Sequence, residues 1–219
     1  MTDPRAPLHA PRMVRATQRP KRSYHHGDLR RALLDAAIGI LTKEGVHALT
    51  LREVARRVGV SQAAPYHHFA DKEAILAAVA EEGFVELNQA MVEARDAAGA
   101  KPTARLRAMG CGYVRFAVAH PAHFRVMFVQ MCDVPKHPSL QVAADRAFET
   151  LLESITAGQK AGIVRRGDPI ELSVLAWSTV HGLSMLWIEG AIHDPTDFPR
   201  SIDDLAEAAA DMLVRGLGK

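Results

Sequence analysis

Thr50-Leu51-Arg52-Glu53-Val54-Ala55-Arg56-Arg57-Val58-Gly59-Val60-Ser61 reads as one short amphipathic helix brought to a stop and a second one about to begin. Leu51, Val54, Ala55 and Val58 recur at three- and four-residue steps, which on a 3.6-residue helix places them on one face. Thr50 precedes them as N-cap, and Glu53 stands three residues on, where a capping box needs its carboxylate. Gly59 breaks that helix, and Ser61 is the N-cap expected for the next, running to about His68. Two short helices on a tight turn form a helix-turn-helix, a compact support for one exposed helix whose first residues enter the major groove of DNA.

Upstream, Leu29, Ala32, Leu33, Ala36, Ala37, Ile40 and Leu41 keep helical spacing, with Asp28 expected to cap the start and Gly45 to end the helix. Downstream, Asp71 caps a long helix through Ile75, Leu76, Val79, Leu87 and Met91, which stops before Pro102. Five further helices are expected near 103–119, 121–130, 139–161, 169–189 and 201–216. Hydrophobic residues make up 48% of the 219 positions, enough for a sizeable core, while aromatics make up only 5%. Such Ala- and Leu-rich composition favours an all-α chain with little or no strand. Residues 1–24 form a basic arm in which Pro4, Pro7, Pro11 and Pro20 block helix. Residues 25–72 form the helix-turn-helix head and residues 73–219 the helical body, with no linker to separate the two.

The net charge of +2 conceals a division, because residues 1–72 hold 13 Lys/Arg against 6 Asp/Glu and the remainder 14 against 19. A basic front end and an acidic body suit a protein that offers one end to nucleic acid and repels phosphate with the other. Residues 1–27 hold six Lys/Arg and no apolar run, so no signal peptide is expected. Leu172 to Ile188 carries no charge, but three serines, a threonine and a histidine make it too polar and too short for a membrane span. Cys111 and Cys132 form no closely spaced pair, which fits a reducing cytoplasm.

The stretch from Leu49 to Ser61, followed by Pro65-Tyr66-His67-His68-Phe69 and Asp71-Lys72-Glu73, closely resembles the DNA-binding head of the tetracycline-repressor (TetR) family. Trp177, His181 and Gly182 resemble the Trp-His-Gly signature of one of its subgroups. The resemblance implies a dimeric regulator of transcription that binds operator DNA. By that resemblance Thr50, Arg52, Tyr66, His67 and Lys72 match positions that hold the DNA backbone, and Ser61, Gln62 and Ala63 match the base-facing start of the recognition helix. The side-chain chemistry agrees, since Tyr and Lys donate to phosphate and Gln62 has the donor and acceptor needed to pair with adenine. Phe69 is expected in the core and Tyr66 outside it. Pro65 departs from the leucine common in the family; it removes a backbone donor near the helix start and can shift the base contacts by one residue.

The family further implies a homodimer through the last two long helices and a small-molecule chamber among the central ones. Candidate chamber residues are Phe116, His120, Phe124, Met127, Phe128, Met131, Trp177, His181 and Met185, a set of apolar walls with few polar groups. Each has plain core packing as its alternative. His120, His123, Cys132 and His137 match no strong zinc motif, so neither metal nor cofactor is expected. No phosphate-binding glycine loop or nucleophile elbow is present. A ligand-released repressor is the favoured reading. A DNA-binding regulator without a ligand and a helical enzyme are the alternatives, separated by palindrome binding and by ligand-dependent release.

Overall fold

The computed structural model describes residues 26–129, 136–192 and 201–218; the arm, Met131, Cys132 and the 193–200 segment lie outside them. Eight α-helices account for most of the described chain: α1 (His26–Glu44), α2 (Leu51–Val58), α3 (Lys72–Ala97), α4 (Pro102–Ala119), α5 (Pro121–Phe128), α6 (Pro138–Lys160), α7 (Pro169–Ile188) and α8 (Ile202–Leu217). The all-α expectation holds. Extended pairing among the described residues is limited to an isolated bridge between Val164 and Gly218.

Helix ends follow local chemistry. Thr50 Oγ1 accepts from the Glu53 N–H at 3.1 Å, and Asp71 Oδ1 accepts from the Ala74 N–H at 2.8 Å. Gly59 closes α2 in the left-handed conformation, φ 78° and ψ 31°, which a residue with a Cβ adopts only at a cost. Two expectations fail here. The first helix begins at His26, two residues before Asp28, so Asp28 falls within its first turn rather than ahead of it; its side chain lies outside the described residues. Glu53 does not complete a capping box; Arg56 and Arg57 are within reach on the next turn and donate to its carboxylate instead. A complete capping box occurs at α8, between Ser201 and Asp204.

In the head, Leu33, Ala37 and Ile40 of α1, Leu49, Val54 of α2, Phe69 and Ile75 are each no more than 3% exposed and share one cluster. That cluster continues without a break to Ala122 and Val126 of α5 and Leu140 of α6, so head and body share packed surface. The reason is α3: its 26 residues, about 39 Å of helix, bury Ile75 and Val79 in the head and Leu87 and Met91 in the body. At Gly112 the backbones of α4 and α3 close up, a Cβ there lying only 3.0 Å from the Ala90 carbonyl oxygen. Among the described residues no helix is long and apolar enough to cross a membrane, consistent with the reading of Leu172–Ile188.

Candidate DNA-binding surface and body cavity

Between Gly59 and Asp71 the chain makes no α-helix. An α-helix capped by Ser61 would need an N–H on Pro65 to reach the Ser61 carbonyl, and proline has none. The Ala64 N–H takes that carbonyl instead at 3.0 Å, and a 3₁₀ turn over Ala64–His67 follows, closed by His68 N–H on Pro65 O at 2.9 Å. Ser61 therefore opens a turn rather than capping the expected third helix. The tight winding sorts the side chains: Pro65 and Phe69 are buried, while Tyr66, 52% exposed, and His67 point out. The Arg30 guanidinium lies 5.4 Å over the Phe69 ring and ties α1 to this turn.

Thr50, Arg52, Ser61, Gln62, Ala63, Tyr66 and His67 are all exposed, on α2, its N-cap and the turn that follows. Arg52 makes no ion pair among the described residues, whereas Arg56 and Arg57 are held by Glu53 and Glu44. Lys72 differs from the rest. It is half-buried and its Nζ donates to the Val46 carbonyl at 2.7 Å, bracing the 3₁₀ turn Val46–Ala48 ahead of α2.

In the body, a cavity of about 230 Å³ lies inside the helical bundle. Its wall takes Phe84, Leu87 and Met91 from α3, Leu106, Met109, Gly110 and Tyr113 from α4, and Phe128 from α5. Residues 144, 145, 147, 148 and 151 of α6, Ala176, Trp177 and Val180 of α7, and residues 210, 213, 214 and 217 of α8 complete it. Among the described residues only Tyr113, Trp177 and Asp145 bring a side-chain oxygen or nitrogen to this wall. Asp145 is exposed and accepts from Gln141 at 2.7 Å. Trp177 Nε1–H donates to the Tyr113 hydroxyl at 3.0 Å, and that hydroxyl lies 2.9 Å from His181 Nδ1. Burial pushes the Tyr113 hydroxyl up and the His181 imidazole down, so both are neutral.

Of the chamber residues expected from sequence, Phe128 and Trp177 line the cavity. His181 stands behind the wall, bonded to Tyr113, and Phe124 backs it, fully buried, with its ring 5.7 Å from Tyr113 and 4.9 Å from Phe128. Phe116 stacks on His120 at 4.9 Å away from the cavity, and His120 is exposed with Nδ1 3.9 Å from Glu86. Met127 packs on Gly83 of α3, and Met185 is half-buried in the surrounding core. Met131 lies outside the described residues. Tyr113 was not among the candidates. A lone tyrosine in an apolar stretch of α4 carries no spacing signal, and only the meeting of α4 with α7 gives it partners. Among the described residues no three His, Cys, Asp or Glu side chains are placed to hold a metal, and Cys132 is not described.

The exposed turn leads into α3, which runs on into the wall of the apolar cavity. Residues 33–79 match the family described as bacterial regulatory proteins, tetR family, and residues 106–213 match the tetracyclin repressor-like C-terminal domain. The chain belongs to the TetR family. As a TetR-family member it is a DNA-binding transcriptional regulator. The HTH-type transcriptional regulator BetI from Cronobacter sakazakii is 30% identical over 172 residues, 74% of this chain and 79% of BetI. The class A tetracycline repressor protein from transposon 1721 of Escherichia coli is 47% identical over 49 residues, 22% of this chain and 23% of that protein. Among solved structures, a protein of unknown function from Rhodococcus sp. RHA1 superposes with TM-score 0.78 at 35% identity, covering 91% of this chain and all of the other. FadR from Bacillus subtilis, solved in complex with stearoyl-CoA, shares the fold at TM-score 0.70 and 17% identity, over 85% of this TetR-family chain and 98% of FadR.

Proposed function

We propose that this protein is a cytoplasmic homodimeric repressor, not an enzyme, which leaves a palindromic operator when a small uncharged organic molecule fills the body cavity. The observation that carries this reading is the 230 Å³ apolar cavity walled by α3, the helix that also carries Lys72 and the head core. Cavities of roughly 150 Å³ lined by aliphatic and aromatic side chains take in benzene, so the space suffices for a somewhat larger molecule. Among the described residues the wall holds no Lys, Arg or His to pair with an anion, and Asp145 brings a carboxylate to it. A neutral ligand suits it better than the acyl-CoA held by the Bacillus FadR.

Thr50, Arg52, Tyr66, His67 and Lys72 are assigned to phosphates, and Ser61, Gln62 and Ala63 to base edges. Dimerisation is assigned to α7 and α8. Within one chain α7 buries only one face, through Leu172, Ala176 and Val180, and leaves Ile170, Val174, Leu175 and Leu186 exposed, while on α8 Met212 is 65% exposed. A soluble protein covers such a stripe, and a Cβ on Gly182 or Gly216 would meet nothing within 4 Å, so a second copy can approach closely.

The test is binding of the purified full chain to DNA selected from random duplexes, with light scattering on the same preparation. A dimer on two half-sites about 34–36 Å apart, or a multiple of that, is expected. Gln62→Ala should relax preference at one position per half-site by about 1–3 kcal/mol. Small neutral apolar compounds should release wild-type protein from that DNA, and Trp177→Ala should blunt the release while leaving unliganded DNA affinity nearly intact. A monomer with no sequence preference defeats the reading, and release by no neutral compound favours a regulator without a ligand.

A further inference from the structure

Where α4 and α7 pack, three polar side chains meet: Tyr113 of α4, and Trp177 and His181 of α7. A phenol oxygen has one hydrogen to give and two lone pairs to receive with. Trp177 is a donor only, so its Nε1–H takes one lone pair of the Tyr113 oxygen. His181, being neutral, carries its proton on one ring nitrogen. If that were Nδ1, the Tyr113 oxygen would receive two hydrogen bonds and its own O–H would be left without a partner in a wall that is apolar around it. A buried donor without a partner is costly, by the full penalty of desolvating it. With the proton on Nε2, the Tyr113 O–H instead donates to Nδ1 at 2.9 Å, so the Tyr113 O–H and the Trp177 N–H both have acceptors, and His181 Nε2 is not among the fully buried atoms without a partner. What remains is a single lone pair on the Tyr113 oxygen, where Tyr113 and Trp177, both wall residues, meet.

We infer that the cavity selects an uncharged apolar molecule bearing a hydrogen-bond donor, such as an alcohol or phenol hydroxyl, and that Tyr113 is the residue that reads it, by accepting that hydrogen bond. The inference rests on the cavity being the ligand site, and it adds the polarity of the ligand and the atom that senses it. A ketone or ester of equal size has no hydrogen to offer. To be held by Tyr113 it would have to turn the phenol O–H away from His181 and move the imidazole proton to Nδ1. His181 and Trp177 act through Tyr113 and position its oxygen. Phe124 and Phe128, with rings 5.3 and 4.6 Å from His181, keep the trio in apolar surroundings where one hydrogen bond discriminates well.

The experiment is calorimetric titration of the full-length protein with 1-octanol and 2-octanone, which have the same number of heavy atoms. Wild type should bind octanol more tightly than octanone. In Tyr113→Phe that ratio should fall by about two- to twelvefold, the worth of one net hydrogen bond. Trp177→Phe, which frees a lone pair on the same oxygen, should retain the preference, so loss of packing alone is separated from loss of the acceptor. Tighter binding of octanone by wild type, or an unchanged ratio in Tyr113→Phe, overturns the inference, and the wild-type order decides even if Tyr113→Phe fails to fold. Ala144→Phe, placed in the wall on α6, separates this from the underlying reading. If it blocks both probes, the cavity is the site whatever the ratio shows. If both bind as before, or neither binds wild type, the cavity reading falls and this inference with it.

Discussion

Arg31 on α1 and Glu82 on α3 pair through both terminal guanidinium nitrogens, Nη1 donating to one carboxylate oxygen and Nη2 to the other at 3.2 Å. The same carboxylate faces α5, where His123, 6% exposed, has Nε2 3.4 Å away. Head, long helix and the short helix that carries the cavity residue Phe128 thus converge on one side chain. Exposed ion pairs are worth roughly 0.2–1 kcal/mol, and a forked pair with a largely covered Glu82 belongs at the upper end. Arg31→Met and Glu82→Gln should each lower the melting temperature by about 2–4 °C in a chain of this size. The double variant should lose less than the sum, by a coupling near ~1 kcal/mol. Simple additivity in thermal melts would mean that the pair does not join head to body.

Lys72 and Arg52 separate charge from architecture. Each phosphate contact contributes a slope of about −0.9 in log affinity against log salt, so either alanine variant should flatten the slope by about one. Only Lys72→Ala should also lower thermal stability, since only Lys72 braces the Val46 carbonyl. Equal stability of the two variants would place the Lys72 bond outside the forces that hold the head together.

Gly112→Ala should destabilise although alanine is the better helix former. The added Cβ would lie 2.9 Å from Ala94 Cβ and 3.0 Å from the Ala90 carbonyl oxygen, and neither can swing aside. Overpacking of this kind costs about 1–3 kcal/mol, more than the ~1 kcal/mol that alanine gains over glycine in a helix. Gly83→Ala should cost less, because the nearest atom it meets is the thioether of Met127, the end of a flexible side chain. Chemical denaturation of the two variants checks the order.

Arg56 and then Arg57 hold the Glu53 carboxyl down to about 2 by hydrogen bonding, against an ordinary value of 4.5. A group held low in the folded state favours folding fully above its unfolded value, and that contribution is lost as pH falls from about 4.5 towards 2. Asp96, held to about 2 by Arg95 and Arg105 against an ordinary 3.8, acts in the lower part of that window, from about 3.8 towards 2. Glu53→Gln should therefore lose less stability than wild type between pH 5 and pH 3, measured by circular dichroism in denaturant. Parallel losses would show that the pairs on α2 do not survive in solution.

Much of this molecule is legible from its sequence because the deciding chemistry is local. Helical spacing, Thr50 and Asp71 as caps, and Gly59 as a stop depend on neighbours within four residues, and they place α2 and α3 to within a residue or two. The wording from Leu49 to Glu73 carries the family by the same means, and the split of charge between residues 1–72 and the remainder marks which end meets DNA. Even the 3₁₀ turn was within reach, since the missing N–H of Pro65 follows from the sequence alone; the competing cap at Ser61 obscured it. Which aromatic and sulfur side chains face the cavity was decided elsewhere. Phe116, Phe124 and Phe128 have equal claims by composition and spacing, yet the crossing of α5 over α3 and α4 puts only Phe128 in the wall. Tyr113 meets Trp177 and His181 across more than sixty residues of chain. A hydrogen bond needs its partners within about 3 Å and correctly directed, and that depends on how α4 and α7 pack, a sum of many small contacts that no local pattern records.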